Sequence, residues 1–400
     1  MGSNSRCLLV LTLPLFTCIS LQPAQTKERS STACWPECER ISRALGEYRL
    51  LASKDDGELL PVTEQAVEPG DSYEGVPRLI RFLSLIGDLS EDTVPSDSRI
   101  YEGELVEAVK RFQSRHGLKP DGLIGAATFE QLNTPLRLRV RQLERALQRW
   151  RSLVYDPQRR AIVLNVPEFR LRAYGAGSGS KRDPELEMKV IVGQAPEHKS
   201  PMLVSHVDTV IFRPYWNVPF QIQRDELLSD IRQNGTWIEA NNFELVTPQG
   251  EVMKKRMASA DVLSALSTGK LQLRQRPGSK NTLGLVKFLF PNDYGIYMHD
   301  TSARWLFAGE RRDLSHGCIR VEKPVELAEW LLAGQSGWPP RRIHEAVQGT
   351  ETVSVRVQQP TRVIIMYSTA AVMKNGEVHF FPDIYGNDGD TTTDVAAQLK

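Results

Sequence analysis

Apolar residues recur at helical spacing through the first third of the chain. In "PECERISRALGEYRLLA" Ile41, Ala44, Leu45, Tyr48 and Leu51 share one stripe, which predicts one helix over residues 36–60 with a packing role, followed by a charged loop. "VPRLIRFLSLIG" repeats the pattern with Leu79, Ile80, Leu83 and Ile86. In "GELVEAVKRFQSRHGLKPDGLIGAATFEQLN", Val106, Val109, Phe112 and Gln113 form a helical face and Gly117 ends it. Pro120-Asp121-Gly122 then turns the chain, and Thr128 opens a short helix through Leu132. Phe112, Leu118, Ile124 and Leu132 are the expected core of this module. "PLRLRVRQLERALQRWRSL" puts Leu138, Leu143, Leu147 and Trp150 on one side and arginines elsewhere, which predicts a linker helix with a solvated charged face.

From residue 161 the texture becomes strand-like. "AIVLNVP", "FRLRAY", "EMKVIVG" and "SHVDTVIF" are short runs of Val, Ile, Leu and Tyr set off by turn residues, and such runs resume at "LGLVKFLF" and "YGIYMHD". Between them, residues 221–280 carry two helix-like stretches, "RDELLSDIRQNG" and "SADVLSALSTGK", and a loop-like "RQRPGSKN". They read as an insertion forming a lid over the cleft of the β domain. Asn375-Gly376 between apolar runs signals a hairpin near the end. The pattern predicts an α+β multidomain chain: a mostly β domain with a helical inserted lid, plus a small three-helix module.

Composition changes this picture little. A chain of 400 residues fits two or three domains at about 150 residues each. Lys plus Arg is 50 against 49 for Asp plus Glu, so the net charge of +1 gives no basis for a nucleic-acid partner. The N-terminal end matters more. Arg6 precedes an apolar run from Cys7 to Leu21, the layout of a secretory signal, so export is expected, with residues 1–25 a signal peptide or a retained anchor. Thiols outside the cytoplasm tend to pair. If Cys7 and Cys18 leave with the signal, Cys34 and Cys38 are close enough to pair locally, and Cys318 is the odd one.

A lone thiol is usually a small buried hydrophobe, yet Cys318 has two histidines near it in sequence, His299 in "YGIYMHDT" and His316 in "LSHGCIRV". A cysteine nucleophile reacts as the thiolate and needs a neighbour that takes its proton. Either histidine could serve. Geometry favours His299, because residues two apart seldom let one imidazole reach back, whereas two strand ends bring distant residues face to face. Ser315 and Gly317 permit a sharp turn, and the backbone N–H groups of Gly317 and Cys318 could approach a reacting carbonyl as an oxyanion site requires.

"HDTSARWLFAGERRDLSHGCIRV" resembles the catalytic motif of the L,D-transpeptidase (YkuD-type) family, and residues 103–133 resemble the peptidoglycan-binding type 1 domain. "YWNVP" at 215–219 and the insertion after it resemble the lid-bearing members of Gram-negative bacteria. The resemblance implies residues 70–135 as a peptidoglycan-binding domain and 160–390 as the catalytic domain, with 221–280 its lid. Around them lie an N-terminal helical segment at 26–69, a linker helix at 136–159 and a tail at 391–400. It implies Cys318 as nucleophile, His299 as base, His316 as structural or electrostatic support, and the Gly317 and Cys318 amides as oxyanion donors. Arg320, where many members carry asparagine, is implied as a binder of substrate carboxylate, with Ser315, Tyr297, Trp216 and Asn217 lining the cleft. Asp300 would orient His299 or cap a turn.

The implied reaction is acyl transfer from a peptidoglycan stem tetrapeptide, through a cysteine thioester, to the diaminopimelate amine of a second stem. The product is a 3→3 cross-link made in the periplasm without metal, nucleotide or other cofactor, by a protein expected to be monomeric. Carbapenems are implied as covalent inhibitors. Three rivals differ in class: a zinc hydrolase using His299, His316, Cys318 and perhaps His206 with Asp208; a non-enzymatic wall-binding protein; and the same thioester resolved by water or by a protein lysine, giving an L,D-carboxypeptidase or a protein-anchoring enzyme.

Overall fold

The first apolar stripe becomes helix α1 (Pro36–Lys54) in the computed structural model, which describes Gly2 and residues 34–389 apart from 91–97, 178–182 and 254–258. The expected signal or anchor and the tail at 391–400 lie outside the described residues. Helix α1 stops short of residue 60 because Asp55 leaves the helix with extended backbone and its carboxylate accepts from Arg78 Nη2 at 2.9 Å. Cys34 and Cys38, at the helix start, are joined in a disulfide.

Helices α2 (Val76–Leu85), α3 (Glu104–Arg115) and α4 (Ala126–Leu132) form the three-helix module. Gln113 explains its turn. This buried amide donates to Leu123 O at 2.9 Å and Thr128 Oγ1 at 3.2 Å, and its Oε1 accepts the Gly122 N–H at 2.9 Å. One side chain of α3 thus satisfies the backbone of the loop leading to α4, which is what a buried polar group requires. Phe112, Ile124 and Leu132 are buried as expected, and Leu118 is half-buried.

Helix α5 (Leu136–Ser152) buries Leu143, Leu147 and Trp150 and packs along α1. Its charged face is not solvated throughout. Arg139 is buried, stacked over the Phe380 ring at 4.9 Å and donating to Gln131 Oε1 at 2.9 Å, and Arg149 is buried against Asp388. The C-terminal segment folds back over this helix, a long-range contact that periodicity cannot register.

The β domain begins with β1 (Ala161–Asn165), β2 (Arg170–Tyr174), β3 (Leu186–Gly193), β4 (Leu203–Phe212) and β5 (Trp216–Asn217). It continues with β6 (Phe243–Val246), β7 (Gln272–Gln275), β8 (Val286–Leu289), β9 (Met298–His299), β10 (Asp313–Ser315) and β11 (Ile319–Val321). It ends with β12 (Val353–Met366), β13 (Ala370–Val372) and β14 (Val378–Phe380). The main sheet runs β3-β11-β9-β8-β4-β12-β1-β2, and β2 pairs again with β3, so the strands close on themselves and leave β10 beside the end of β3. Closure removes open edges. Ile162, Val207, Phe288, Met298 and Ile319 fill the core, with Leu327 and Leu331 of the helix Pro324–Leu332.

The inserted segment 221–280 differs from expectation: besides the helices at Leu228–Gln233 and Ala260–Ser267 it carries β6 and β7, which pair with β5 just ahead of it as a three-stranded sheet. Strand β7 falls on "QLRQ", whose first and third residues are polar and half-buried, so its run looks like loop when read alone. The signalled hairpin is β13–β14, turning at Gly376 with φ +90°.

Candidate active site

Strands β9 and β11 lie side by side and parallel, with Met298 opposite Ile319 and His299 opposite Arg320. Met298 and Ile319 are fully buried in the core, so alternation sends His299 and Arg320 to the other face. Cys318 and Tyr297, one residue earlier on each strand, stand two before Arg320 and His299 and share their side of the sheet. Antiparallel β8 adds Lys287 opposite His299. Three strands therefore bring Cys318, His299, Arg320, Tyr297 and Lys287 onto one face.

The thiol is presented by a turn pinned from below. Gly317 has φ +104°, a conformation that favours glycine. Ser315 Oγ donates to Cys318 O at 2.6 Å, and Ser200 Oγ donates to Gly317 O at 2.8 Å while accepting from Gly193 N at 2.9 Å. A Cβ on Gly193 would lie 1.7 Å from His198 O and 2.9 Å from Gly317 Cα, so only glycine lets β3 approach this turn. The Gly317 N–H, expected at an oxyanion site, donates to Ser315 Oγ at 3.2 Å because the turn curls onto that hydroxyl. Ser315 is itself buried and spends its hydroxyl inside the turn.

His299 is buried, and its Nδ1 lies 2.5 Å from the carbonyl oxygen of Asp300. A nitrogen facing a carbonyl must carry the proton, which leaves Nε2 as the basic nitrogen. The Asp300 carboxylate is turned elsewhere, accepting from Leu285 N and from Arg304 Nη1, each at 2.9 Å. Burial first, and then the positive charges of Arg320 and Lys287, push the imidazole down to about 3, so it is neutral at ordinary pH.

Cys318 is half-buried and is the free cysteine among the described residues. Burial pushes its thiol up, while hydrogen bonds from Tyr297 and the charges of Lys287 and Arg320 pull it back. Lys287 Nζ sits 3.7 Å from the centre of the Tyr297 ring, and burial lowers its own pKa, against which only the Cys318 charge acts. Arg320 is half-buried with its Nε buried and unpartnered among the described residues. The site is a sulfur set diagonally to a neutral imidazole on one sheet face, with the charges of Lys287 and Arg320 acting on the sulfur, an arrangement that favours a developing anion.

The remaining candidates are placed differently. His316 points to the inserted segment, with Nε2 2.7 Å from Glu226 Oε1 and its ring 4.5 Å from that of His198. Trp216 is buried in the core of the inserted segment against Phe243, with Tyr297 at the edge of that cluster, and Asn217 is exposed on β5. Sequence reasoning passed over Lys287, Glu226 and Ser200. The only signal for Lys287 was a lone charge inside the apolar run "LVKFLF". Glu226 sits on one turn of π-helix, Gln223–Leu227, a geometry that accumulates at functional sites. No three His, Cys, Asp or Glu side chains gather as metal ligands among the described residues.

The family model for the L,D-transpeptidase catalytic domain, YkuD, matches residues 159–365, more than half of the 400-residue chain. The chain belongs to this family. A second model, described as "Putative peptidoglycan binding domain", matches residues 74–132 and so covers α2 to α4 of the L,D-transpeptidase chain. A Haemophilus influenzae protein named "Putative L,D-transpeptidase" is 34% identical over 227 residues, 57% of this chain and 44% of the relative. The match therefore spans less than half the length of that relative.

Two solved structures also align, each over 76% of this chain and 100% of its own. An L,D-transpeptidase from Xylanimonas cellulosilytica is 14% identical with a TM-score of 0.22. A fused Zn-dependent amidase/peptidase/peptidoglycan-binding domain-containing protein from Clostridium acetobutylicum is 12% identical with a TM-score of 0.19. Superpositions this poor carry no argument.

Proposed function

We propose that this L,D-transpeptidase works on peptidoglycan in the cell envelope and forms 3→3 cross-links between stem peptides through a thioester on Cys318. The observation that carries the reading is the register of β9 against β11, which puts the free thiol diagonal to His299 on one sheet face. In the first half-reaction the thiol proton passes to His299 Nε2 as sulfur attacks the carbonyl of the L-centre in a donor tetrapeptide. The oxyanion forms beside the Cys318 amide and under the Arg320 and Lys287 charges. Collapse expels the terminal D-alanine, whose amine takes the proton from His299, and leaves a thioester. In the second, the side-chain amine of another stem attacks the thioester, gives its proton to His299, and the Cys318 thiol is restored. One bond's energy makes the other.

Because His299 is held down to about 3 and the Cys318 thiol is pushed up, the resting pair is thiol and neutral imidazole. Proton transfer accordingly accompanies attack. Arg320, whose Nε has no partner among the described residues, suits a substrate carboxylate, a charge-assisted contact. A carbapenem offers the same sulfur an acylating carbonyl and would leave a stable adduct on Cys318.

Incubation of the protein with disaccharide tetrapeptide, read by mass spectrometry beside Cys318→Ala, tests this directly. Dimers from the native chain alone support the proposal. Tripeptide alone would assign hydrolysis, and unchanged substrate would assign wall binding without chemistry.

A further inference from the structure

The carbonyl of Gly317 and the N–H of Cys318 belong to one peptide plane, so whatever holds the first aims the second. Ser200 Oγ donates to that carbonyl at 2.8 Å. Ser200 is in turn held by a residue far along the chain. Its N–H donates to the Tyr385 hydroxyl at 3.1 Å, and that hydroxyl donates to Gly193 O at 2.5 Å. Tyr385 thus joins the two buried residues that flank the loop 194–199.

Tyr385 is itself fixed. Its ring stacks on that of Tyr367 with centres 5.5 Å apart, its N–H donates to the Tyr367 hydroxyl at 2.8 Å, and its carbonyl accepts from Lys199 Nζ at 2.7 Å. Tyr367 donates to Asp383 Oδ1 at 2.5 Å, and the same carboxylate accepts the N–H groups of Asn387 and Asp388 at 2.9 and 2.8 Å. Asp388 pairs with the buried Arg149 of α5. The segment that carries Tyr385 therefore lies beyond the stretch matched as the catalytic domain, 159–365, yet is tied both to the linker helix and to the loop under the thiol.

Ring burial alone would be met by phenylalanine, whereas a buried tyrosine hydroxyl needs partners. Both partners of this one lead to the nucleophile turn: Ser200 directly, and Gly193 through its N–H, which donates to Ser200 Oγ at 2.9 Å, and through its pairing with Ser315. Removing the hydroxyl strands the Ser200 N–H and the Gly193 carbonyl, buried groups that the loop must shift to satisfy.

We propose that Tyr385 is a positioning residue for acyl transfer at Cys318: acting through Ser200, it fixes the Gly317–Cys318 peptide plane so that the Cys318 N–H faces the oxyanion. The proposal rests on the reading of Cys318 as the acyl-carrying nucleophile and adds how a segment outside the matched domain sets its oxyanion donor.

The test compares the full native chain with Tyr385→Phe, Ser200→Ala and the double variant in two reactions of the same sulfur. Acylation by a carbapenem, read by intact mass, passes through an oxyanion; alkylation by iodoacetamide does not. Each single variant is expected to slow acylation, and to lower kcat for dimer formation, about tenfold or more, with KM and the alkylation rate within about twofold of native. The double variant should lose about as much as the larger single loss, because both substitutions act on one carbonyl. A merely loosened fold would change alkylation along with acylation, and that result overturns the proposal. So do unchanged acylation rates, or single losses that multiply in the double variant. Should Tyr385→Phe not fold, Lys199→Met releases the Tyr385 carbonyl from an exposed position: acylation slowed about threefold at the native alkylation rate supports the proposal, and acylation at the native rate overturns it. If the native chain takes the carbapenem but forms no dimers, the cross-linking reading falls and the two sulfur reactions still decide the role of Tyr385. If its sulfur takes neither acyl group, both fall.

Discussion

Two arginines, one buried in the three-helix module and one half-buried in the catalytic sheet, are treated in opposite ways. Arg78 in the three-helix module is surrounded by acceptors: Asp55 Oδ1 at 2.9 Å, Asp56 Oδ1 at 3.0 Å and the Glu58 carbonyl at 2.8 Å. Arg320 in the catalytic sheet has a buried Nε with no partner among the described residues, and Lys287, two strands away on the same face, would be offset by Cys318 once its thiol ionises. Burying a charge without a partner costs stability. The helical module meets the requirement within itself, whereas the sheet leaves it unmet among the described residues apart from Cys318. Charge satisfied in the fold is structural, and charge left waiting marks a site.

The contrast is sharpest at the sulfur. Cys318→Ala should abolish acyl transfer, a loss of at least about 10⁴-fold, with no loss of thermal stability, read by product analysis and melting curves. Next in size, Arg78→Met strands Asp55 without a counter-ion and should destabilise the protein by about 3–5 kcal/mol in denaturant titration. Arg320→Met should do the reverse: stability within about 1 kcal/mol of native or higher, and kcat/KM down about 100-fold as a charge-assisted contact is lost. If Arg320→Met unfolds the protein while Arg78→Met does not, the comparison is broken.

Smaller effects refine it. The alkylation rate of Cys318 should rise with pH through a midpoint above the ordinary thiol value near 8.5, because burial raises the pKa. No inflection is expected near 6.5, since His299 stays neutral down to about 3. Lys287→Met removes a cation that stabilises the thiolate and should move that midpoint up by about one unit, roughly 1.4 kcal/mol. Smallest, Glu226→Gln should weaken the lid contact to His316 and raise KM about two- to threefold with kcat little changed, since pairs this exposed contribute less than about 1 kcal/mol.

Local pattern carried much of this arrangement. The stripes at Ile41 and Leu79, the alternating runs after residue 161 and the Asn375-Gly376 turn are local signals, and helices, strands and a hairpin stand on them. Cys318 and His299 could be named as candidates because their motif is contiguous and its loop short, and the β9–β11 register puts both on one sheet face. Lys287 was not, because its relevance comes from pairing opposite His299 across β8 and β9, and pairing is a long-range property. The three-stranded sheet at the insertion escaped for a similar reason: β5, β6 and β7 are short, polar in part, and recognisable only together. Arg139 and Arg149 looked solvated because the segment that covers them arrives more than two hundred residues later.

The measurement closest to the central claim is the intact mass of the protein quenched in acid soon after mixing with donor tetrapeptide. The account requires a covalent adduct equal to the donor less D-alanine, mapped to Cys318 and absent from Cys318→Ala. Cross-linked dimers made by the alanine variant, or an adduct on any other side chain, would contradict it.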